Sequence, residues 1–158
     1  MSELLLIEAG GVRCALPVES VVETLRPFAV QALSALPPYV LGAMRIRGTL
    51  TPVVDLGLIL TGEVGPNPRR LVLVRVDGVT GSSGCERRIA LAVNTVQSVT
   101  SMDEVAWSEL PPLLGGAAGC VVRSLGERDG KLLATLEAGR AISAELWKTF
   151  ESQAEASQ

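Results

Sequence analysis

The apolar positions of the chain fall into short runs separated by glycine, proline and polar residues. Residues 4–16 read LLLIEAGGVRCAL, in which two apolar segments flank Gly10-Gly11. Two such runs joined by two glycines are typical of a β-hairpin with a two-residue turn. Residues 18–25, VESVVETL, have helical spacing but many β-branched side chains, so strand, turn and short helix all remain open there.

The middle and the end of the chain show two further patterns. Residues 40–54, VLGAMRIRGTLTPVV, predict two strands broken at Gly48. Alternation along AMRIRG would place Arg45 and Arg47 together on an outer face of the strand. Residues 139–153 place four large apolar side chains on one helical stripe, which predicts a C-terminal helix: these are Ile142, Leu146, Trp147 and Phe150.

The second half of the sequence repeats the first. ALPVESV at residues 15–21 matches ALAVNTV at residues 90–96, and each half later contains LPP and then an acid with a glycine two residues on. The second copy is expected to have longer loops at residues 77–87 and 126–131. The order and spacing of the matches predict an internal duplication, with Asp55 and Gly57 corresponding to Glu137 and Gly139.

Several short strands at regular spacing favour small barrels or sandwiches. We therefore predict two tandem β-barrel units at approximately residues 1–62 and 70–138 within a single domain of residues 1–158, joined through GPNP-containing residues 60–70. Six apolar residues are expected in the core: Val18, Leu41, Val53, Leu73, Leu91 and Val121.

Composition narrows the classes of function. Hydrophobic residues make up 47% of the 158 residues and charged residues 20%, which is typical of a globular chain. The net charge of −3 carries no basic surplus, so nucleic acid is not an expected partner. The first residues have no basic segment, and no run of about 18 apolar residues occurs, so we expect a cytoplasmic protein without membrane insertion.

The sequence offers little for catalysis. It has no histidine, which excludes the usual serine and cysteine triads. Cys14, Cys85 and Cys120 are far apart and form no CxxC pair, which indicates reduced structural thiols rather than a zinc site. No phosphate-binding loop is present, and Asp55 before LGLIL is explained best as a helix cap. We predict no catalytic residue, no metal and no cofactor.

A contact surface is the alternative use of the polar and aliphatic positions. Aromatic residues are only 3% of the chain, so an interface would depend on aliphatic side chains. The repeated segments offer Val21 and Val22 in the first half and Val96 and Val99 in the second, although burial in the core would explain these valines as well. Arg45 and Arg47 are recognition candidates or part of a solvated face.

Several segments of the sequence resemble a known family. VLGAMRIRGTLTPVVDL, residues 40–56, is similar to the signature of the CheW-like domain, and ALPVESVVETL, LPPYV and ALAVNTVQSV resemble other parts of that family. The resemblance covers residues 4–147. It implies a mainly β fold of two tandem SH3-like five-stranded β-barrels around a hydrophobic groove, with short connecting helices and a C-terminal helix.

The resemblance also implies a function and partners. The family's members are non-catalytic scaffolds that couple methyl-accepting chemoreceptor tips to the regulatory domain of a CheA-type histidine kinase. Arg47 stands where the family has its signature arginine, which implies a position near the partner contacts, held by Glu23. Each barrel would meet one kinase module, and the groove between the barrels would hold the receptor helix.

The sequence departs from the family's pattern at four positions. Arg45 and Ile46 replace the asparagine and the leucine of the signature, Asn94 replaces an aspartate of the second half, and Glu137 stands in place of the acid of the closing strand. A divergent adaptor of a gliding, pilus or surface-sensing pathway is therefore an alternative. A small-ligand-binding β-barrel protein is another, for which a pocket with convergent polar groups would be the sign.

Overall fold

A computed structural model describes residues 3–26, 30–65, 70–80, 86–108 and 121–156. Eleven strands lie in these ranges: β1 Glu3–Ala9, β2 Val12–Pro17, β3 Val21–Leu25, β4 Val40–Ile46, β5 Thr49–Asp55, β6 Arg70–Thr80, β7 Glu86–Val93, β8 Thr95–Ser101, β9 Ala106–Ser108, β10 Val122–Arg128 and β11 Lys131–Leu136. The helices in the same ranges are α1 Leu56–Thr61 and α2 Ala144–Ala156, with 3₁₀ turns at Val18–Ser20, Met102–Glu104 and Ala138–Ala141.

The strands form two sheets that exchange strands between the halves of the chain. The first sheet has the order β8-β1-β2-β11-β10-β9, and the second has the order β3-β6-β7-β5-β4. The chain crosses from the first sheet to the second after β2 and returns after β7. The predicted division at residues 1–62 and 70–138 therefore does not describe the sheets, because a local pattern marks strands without specifying their neighbours.

The internal repeat reappears in the register of the strands. β2 runs parallel to β11 and pairs Ala15 with Thr135, whereas β7 runs parallel to β5 and pairs Ala90 with Val53. Thr135 and Val53 each lie two residues before the acid of the repeat. The matched segments thus occupy equivalent places in the two sheets, as a duplication requires.

The irregularities of the strands are repeated too. β4 bulges at Leu41 and β10 bulges at Arg123, which is the equivalent position 82 residues on. A bulge bends a strand and increases its twist at a defined place, so the recurrence of the bulge at equivalent positions supports the duplication. The β10–β11 hairpin turns through Asp129-Gly130, the same two-residue length as Arg47-Gly48. The expected lengthening at residues 126–131 is therefore wrong.

The largest hydrophobic cluster lies between the two sheets. In β6 and β7 alternate side chains point to opposite faces, as the pleat requires. Leu73 and Ala90 belong to the interior of the second sheet, whereas Val74 and Leu91 belong to the cluster shared by both sheets. The central strands are thus buried on both faces, which explains why RLVLVRV and RIALAV read as nearly continuous apolar runs.

Several local predictions are confirmed. Gly10-Gly11 turns the β1–β2 hairpin between Ala9 and Val12. Asp55 caps α1, because its Oδ1 accepts a hydrogen bond from the Leu58 amide at 3.2 Å. The open segment 18–25 is a 3₁₀ turn followed by β3.

The C-terminal helix is also confirmed, although it begins at Ala144 rather than at residue 139. Trp147 and Phe150 are buried in the shared core. Arg87 lies 4.8 Å from the centre of the Trp147 ring and forms an ion pair with Glu151 at 2.8 Å. This cation–π and ionic contact fastens the helix to β7.

The cysteine expectation is tested at one position. Cys14 is a free, buried thiol, and burial, followed by the nearby charge of Glu8, raises its pKa to about 12. The thiol is neutral at physiological pH, as expected for a structural cysteine. Cys85 and Cys120 lie outside the described residues.

Two of the six expected core residues are exposed. Val53, Leu73, Leu91 and Val121 are buried as expected, whereas Val18 and Leu41 reach the surface. Leu41 is the bulge residue of β4, and Val18 begins the 3₁₀ turn between the sheets. Both departures occur where regular alternation stops.

Gly42 is required by a close approach of two backbone segments. Gln31 and Ala43 exchange two backbone hydrogen bonds of 2.8 Å. A Cβ on Gly42 would lie 2.1 Å from the Gln31 carbonyl oxygen, and its φ of +144° is one that other residues rarely adopt. The glycine of the 40–56 signature therefore has a steric reason.

We expect Leu91→Ala to lower the free energy of unfolding by about 2 to 5 kcal/mol, because Leu91 is 0% exposed in the core shared by the sheets. Leu132→Ala is the matched control, since Leu132 is 65% exposed; it should change stability by about 0.5 kcal/mol or less. Urea denaturation measures both. Equal midpoints for the two variants would show that the shared core is wrongly assigned.

Gly42→Ala should destabilise the protein by at least about 1 to 3 kcal/mol, because the methyl group meets the Gln31 backbone in a strained conformation. Gly65→Ala is the control, since nothing lies within 4 Å of its Cβ position. Thermal melting compares them. A Gly42→Ala protein as stable as Gly65→Ala would refute the close approach.

Candidate protein-interaction surface

The signature hairpin β4–β5 presents its two arginines at its tip. Arg47 and Gly48 form the turn, with φ values of 51° and 80°, the combination of a type I′ hairpin turn. Arg45 is exposed on β4, and its Nη1 donates to the Gly48 carbonyl oxygen at 3.0 Å. The prediction that both arginines share a strand face is wrong for Arg47, because the chain has already entered the turn there.

Arg47 is tied to the opposite edge of the same sheet. Its Nε donates to the Glu23 carboxylate, and Glu23 lies on β3. The Arg47 side chain is 69% exposed and that of Glu23 is 22% exposed. Because β3 and β4 are the two terminal strands of the second sheet, this ion pair links its edges and orients an exposed guanidinium.

The electrostatics keep this pair charged. The hydrogen bond from Arg47 lowers the pKa of Glu23 and outweighs the opposing effect of burial, and the positive charges of Arg47 and Arg88 lower the pKa further. The bond to Glu23 likewise raises the pKa of Arg47. A carboxyl with a lowered pKa keeps its stabilising contact above its unfolded pKa and loses it as the pH falls through the lowered value. The pair is therefore intact at neutral pH.

The four candidate valines differ in accessibility. Val21 and Val96 are half-buried against the shared core, and Val22 is half-buried against the core of the second sheet. Val99 is 51% exposed on β8. Packing in the core thus accounts for much of the first three, and Val99 is the most accessible aliphatic candidate.

The register also limits the expected equivalence of these valines. Val21 pairs with Val74 and Val96 pairs with Ile7, at matching places beside a bulge in each edge strand. Val22 is the bulge residue itself, so it does not correspond to Val99. Only Val21 and Val96 are repeat partners.

The candidate residues form two groups. Val21, Val22, Glu23, Arg45 and Arg47 lie on the second sheet, and the Glu23–Arg47 pair joins its two edges. The other two, Val96 and Val99, lie on β8, the edge of the first sheet. The bulged strands β3 and β8 are therefore equivalent, and each forms one edge of its sheet.

Sequence reasoning missed two features near the sheet junctions. The Gly10 amide donates to Asn94 Oδ1 at 2.9 Å, so Asn94 joins the first hairpin to the crossing between β7 and β8. The exposure of Leu41 was missed as well. The repeat contained a sign of this exposure. The position equivalent to Leu41 in the second copy holds Arg123, and a charged residue there indicates a surface site.

The described residues offer neither a metal site nor a membrane-spanning helix. In those ranges, no three histidine, cysteine, aspartate or glutamate side chains are grouped to hold a metal ion. Nor does any helix within them have the length and apolar character needed to cross a membrane.

The geometry defines a mainly β protein of two intertwined SH3-like barrels with an ion-paired hairpin tip. Residues 3–145 match the family model of the CheW-like domain. The protein FrzA of Myxococcus xanthus is 32% identical over 118 residues, which cover 73% of this chain and 68% of FrzA. The chain belongs to the CheW-like domain family.

A solved structure has the same fold. The scaffolding protein TtCheW from Thermoanaerobacter tengcongensis superposes with a TM-score of 0.72 over 92% of this chain and 94% of its own. The sequences are 17% identical, so this likeness concerns the fold. The predicted class of two SH3-like barrels is confirmed.

Substitution of Val99 and Val21 by aspartate distinguishes a role in partner contact from a role in core packing. Val99→Asp should leave the melting temperature nearly unchanged, because the side chain is already half in water, and should weaken binding of the partner proteins that the family resemblance implies. Val21→Asp should lower the melting temperature, since it places a charge against the shared core. Thermal melting and pull-down measure the two effects. A stable Val99→Asp protein with undiminished partner binding would show that Val99 is not a contact residue.

Proposed function

We propose that this protein is a non-catalytic cytoplasmic scaffold that couples chemoreceptors to a CheA-type histidine kinase in chemotaxis-like signal transduction. The observation that supports it most directly is the signature hairpin, in a chain that belongs to the CheW-like domain family. That hairpin holds an exposed Arg47 in a fixed direction through Glu23.

The proposed contacts follow from the chemistry of the edges. Arginine suits carboxylate partners at interfaces because its planar fork can bind both oxygens. The kinase regulatory domain and the receptor tip would meet Arg47, Arg45 and Glu23, with Val99 and the accessible parts of Val21, Val22 and Val96 as aliphatic contacts. A modest contact at each edge strand is sufficient in an array, since linked sites raise the overall affinity without new contacts.

Arg47→Glu tests the proposal. It places two carboxylates together at the hairpin tip and removes the guanidinium, so binding of the kinase regulatory domain or of the receptor tip should weaken. The melting temperature should change by only a few degrees, because the pair lies at the surface. Pull-down with the purified partners and thermal melting measure the two effects.

The repeat provides a matched control. Asp129 occupies the equivalent turn of the β10–β11 hairpin, so Asp129→Arg reverses a charge in the same backbone setting and should leave binding intact. The double variant Glu23→Arg with Arg47→Glu restores the pair with opposite polarity. If Arg47→Glu unfolds the protein while binding per folded molecule stays unchanged, the pair is structural and the proposed contact is wrong.

A further inference from the structure

A cleft of about 310 Å³ opens where the two sheets meet. Its walls come from the 3₁₀ turn after β2, from β6, from β10 and from the turn after β11. Its lining contains none of the seven residues of the candidate interaction surface. The cleft is therefore a separate feature of the molecule.

Five ionisable side chains line the cleft, and three of them are arginines. Arg75 donates from Nη1 to the backbone oxygen of Glu19 at 2.9 Å. Arg140 pairs with Glu137 at 3.1 Å, an exposed contact of the kind that contributes little to stability. Arg123 is exposed on the β10 bulge. The cleft thus has a local positive surplus in a chain whose net charge is −3.

The floor of the cleft is apolar. Val76, Leu136 and Ala138 line it and are buried. An apolar floor beneath guanidinium groups suits a carboxylate carried on an aliphatic stem, because the stem is desolvated while the carboxylate accepts hydrogen bonds from arginine. Glutamate and aspartate side chains have this form.

The internal repeat provides a reference for this cleft. At the equivalent place in the other copy, the backbones of Gly10 and Gly57 are in contact, and Asn94 accepts a hydrogen bond from the Gly10 amide. That junction is closed by main chain and by the start of α1. The second copy has a 3₁₀ turn where α1 would begin, which leaves the junction open.

The arginines of the cleft are also specific to this copy of the repeat. Each of the three arginines replaces a residue that is not basic at the matching position, in the register set by the strand pairs. The pairs are Arg75 for Glu8, Arg123 for Leu41 and Arg140 for Leu58. The duplicated framework alone therefore does not account for the positive charge of this cleft.

We propose that this arginine cleft is a second docking site, which receives a glutamate or aspartate side chain from an acidic segment of a partner protein. Arg123 and Arg140 bind the carboxylate, and the apolar floor holds the stem. The site goes beyond the proposed kinase and receptor contacts, because it uses none of their residues.

The test follows backbone amide signals of the ¹⁵N-labelled full chain by NMR during titration with a short synthetic glutamate-rich peptide. Saturable shifts are expected at Val76 and at residues 137–140, and the matching glutamine peptide should cause none. Binding should weaken as added salt shortens the Debye length from about 10 Å toward about 3 Å. Glutarate, a free dicarboxylate, is titrated in parallel.

Arg123→Glu should weaken peptide binding by at least about tenfold, because a charge-assisted bidentate contact becomes a repulsion. Arg70→Glu makes the same change of charge at the exposed start of β6 and should leave binding intact. Arg140→Gln is a second cleft variant if Arg123→Glu fails to fold, and it should also weaken binding.

Three results would overturn the proposal. The first is equal binding of the glutamate and glutamine peptides, and the second is equal loss of binding in Arg123→Glu and Arg70→Glu. The third is saturable binding of glutarate without binding of the peptide, which would indicate a site for small carboxylates rather than for a partner protein. Because no kinase or receptor is present, failure here leaves the proposed scaffold function to its own test.

Discussion

Burial of the hydrophobic face between the two sheets is the interaction on which the rest of the structure depends. β6 and β7 turn one face to the second sheet's own interior and the other face to the shared core, and Leu91 and Val74 lie on that second face. Each sheet also contains strands from both halves of the chain. Neither half of the chain completes a sheet by itself, so both halves are needed to form either barrel.

This arrangement leaves the edge strands available for the proposed contacts with other proteins. β3 and β8 end their sheets and carry equivalent bulges, which discourage edge-to-edge pairing between chains. The turn through Arg47 and Gly48 then directs a charged group across the edge toward Glu23. A rigid interior thus fixes the direction of a polar group at the surface of this CheW-like adaptor.

The sequence predicted the features that depend on neighbouring residues. The Gly10-Gly11 turn, the cap at Asp55 and the apolar stripe of the last helix each require a pattern within a few positions, and all are present. The exchange of strands was not predicted, because alternation does not specify which strand lies beside which. Arg47 was misplaced and Leu41 was expected inside for a related reason: a turn or a bulge shifts the alternation by one residue.

The exchange of strands has a consequence for how the fold is assembled. The first half of the chain contributes two strands to the first sheet and three to the second, and the second half contributes two strands to the second sheet and four to the first. This is the geometry of a domain-swapped homodimer whose two subunits have been joined end to end. Joining turns an encounter that depends on concentration into an intramolecular one. Joining also allows the sequences of the two copies to diverge. One junction can then remain closed by glycine backbones while the other gains arginines.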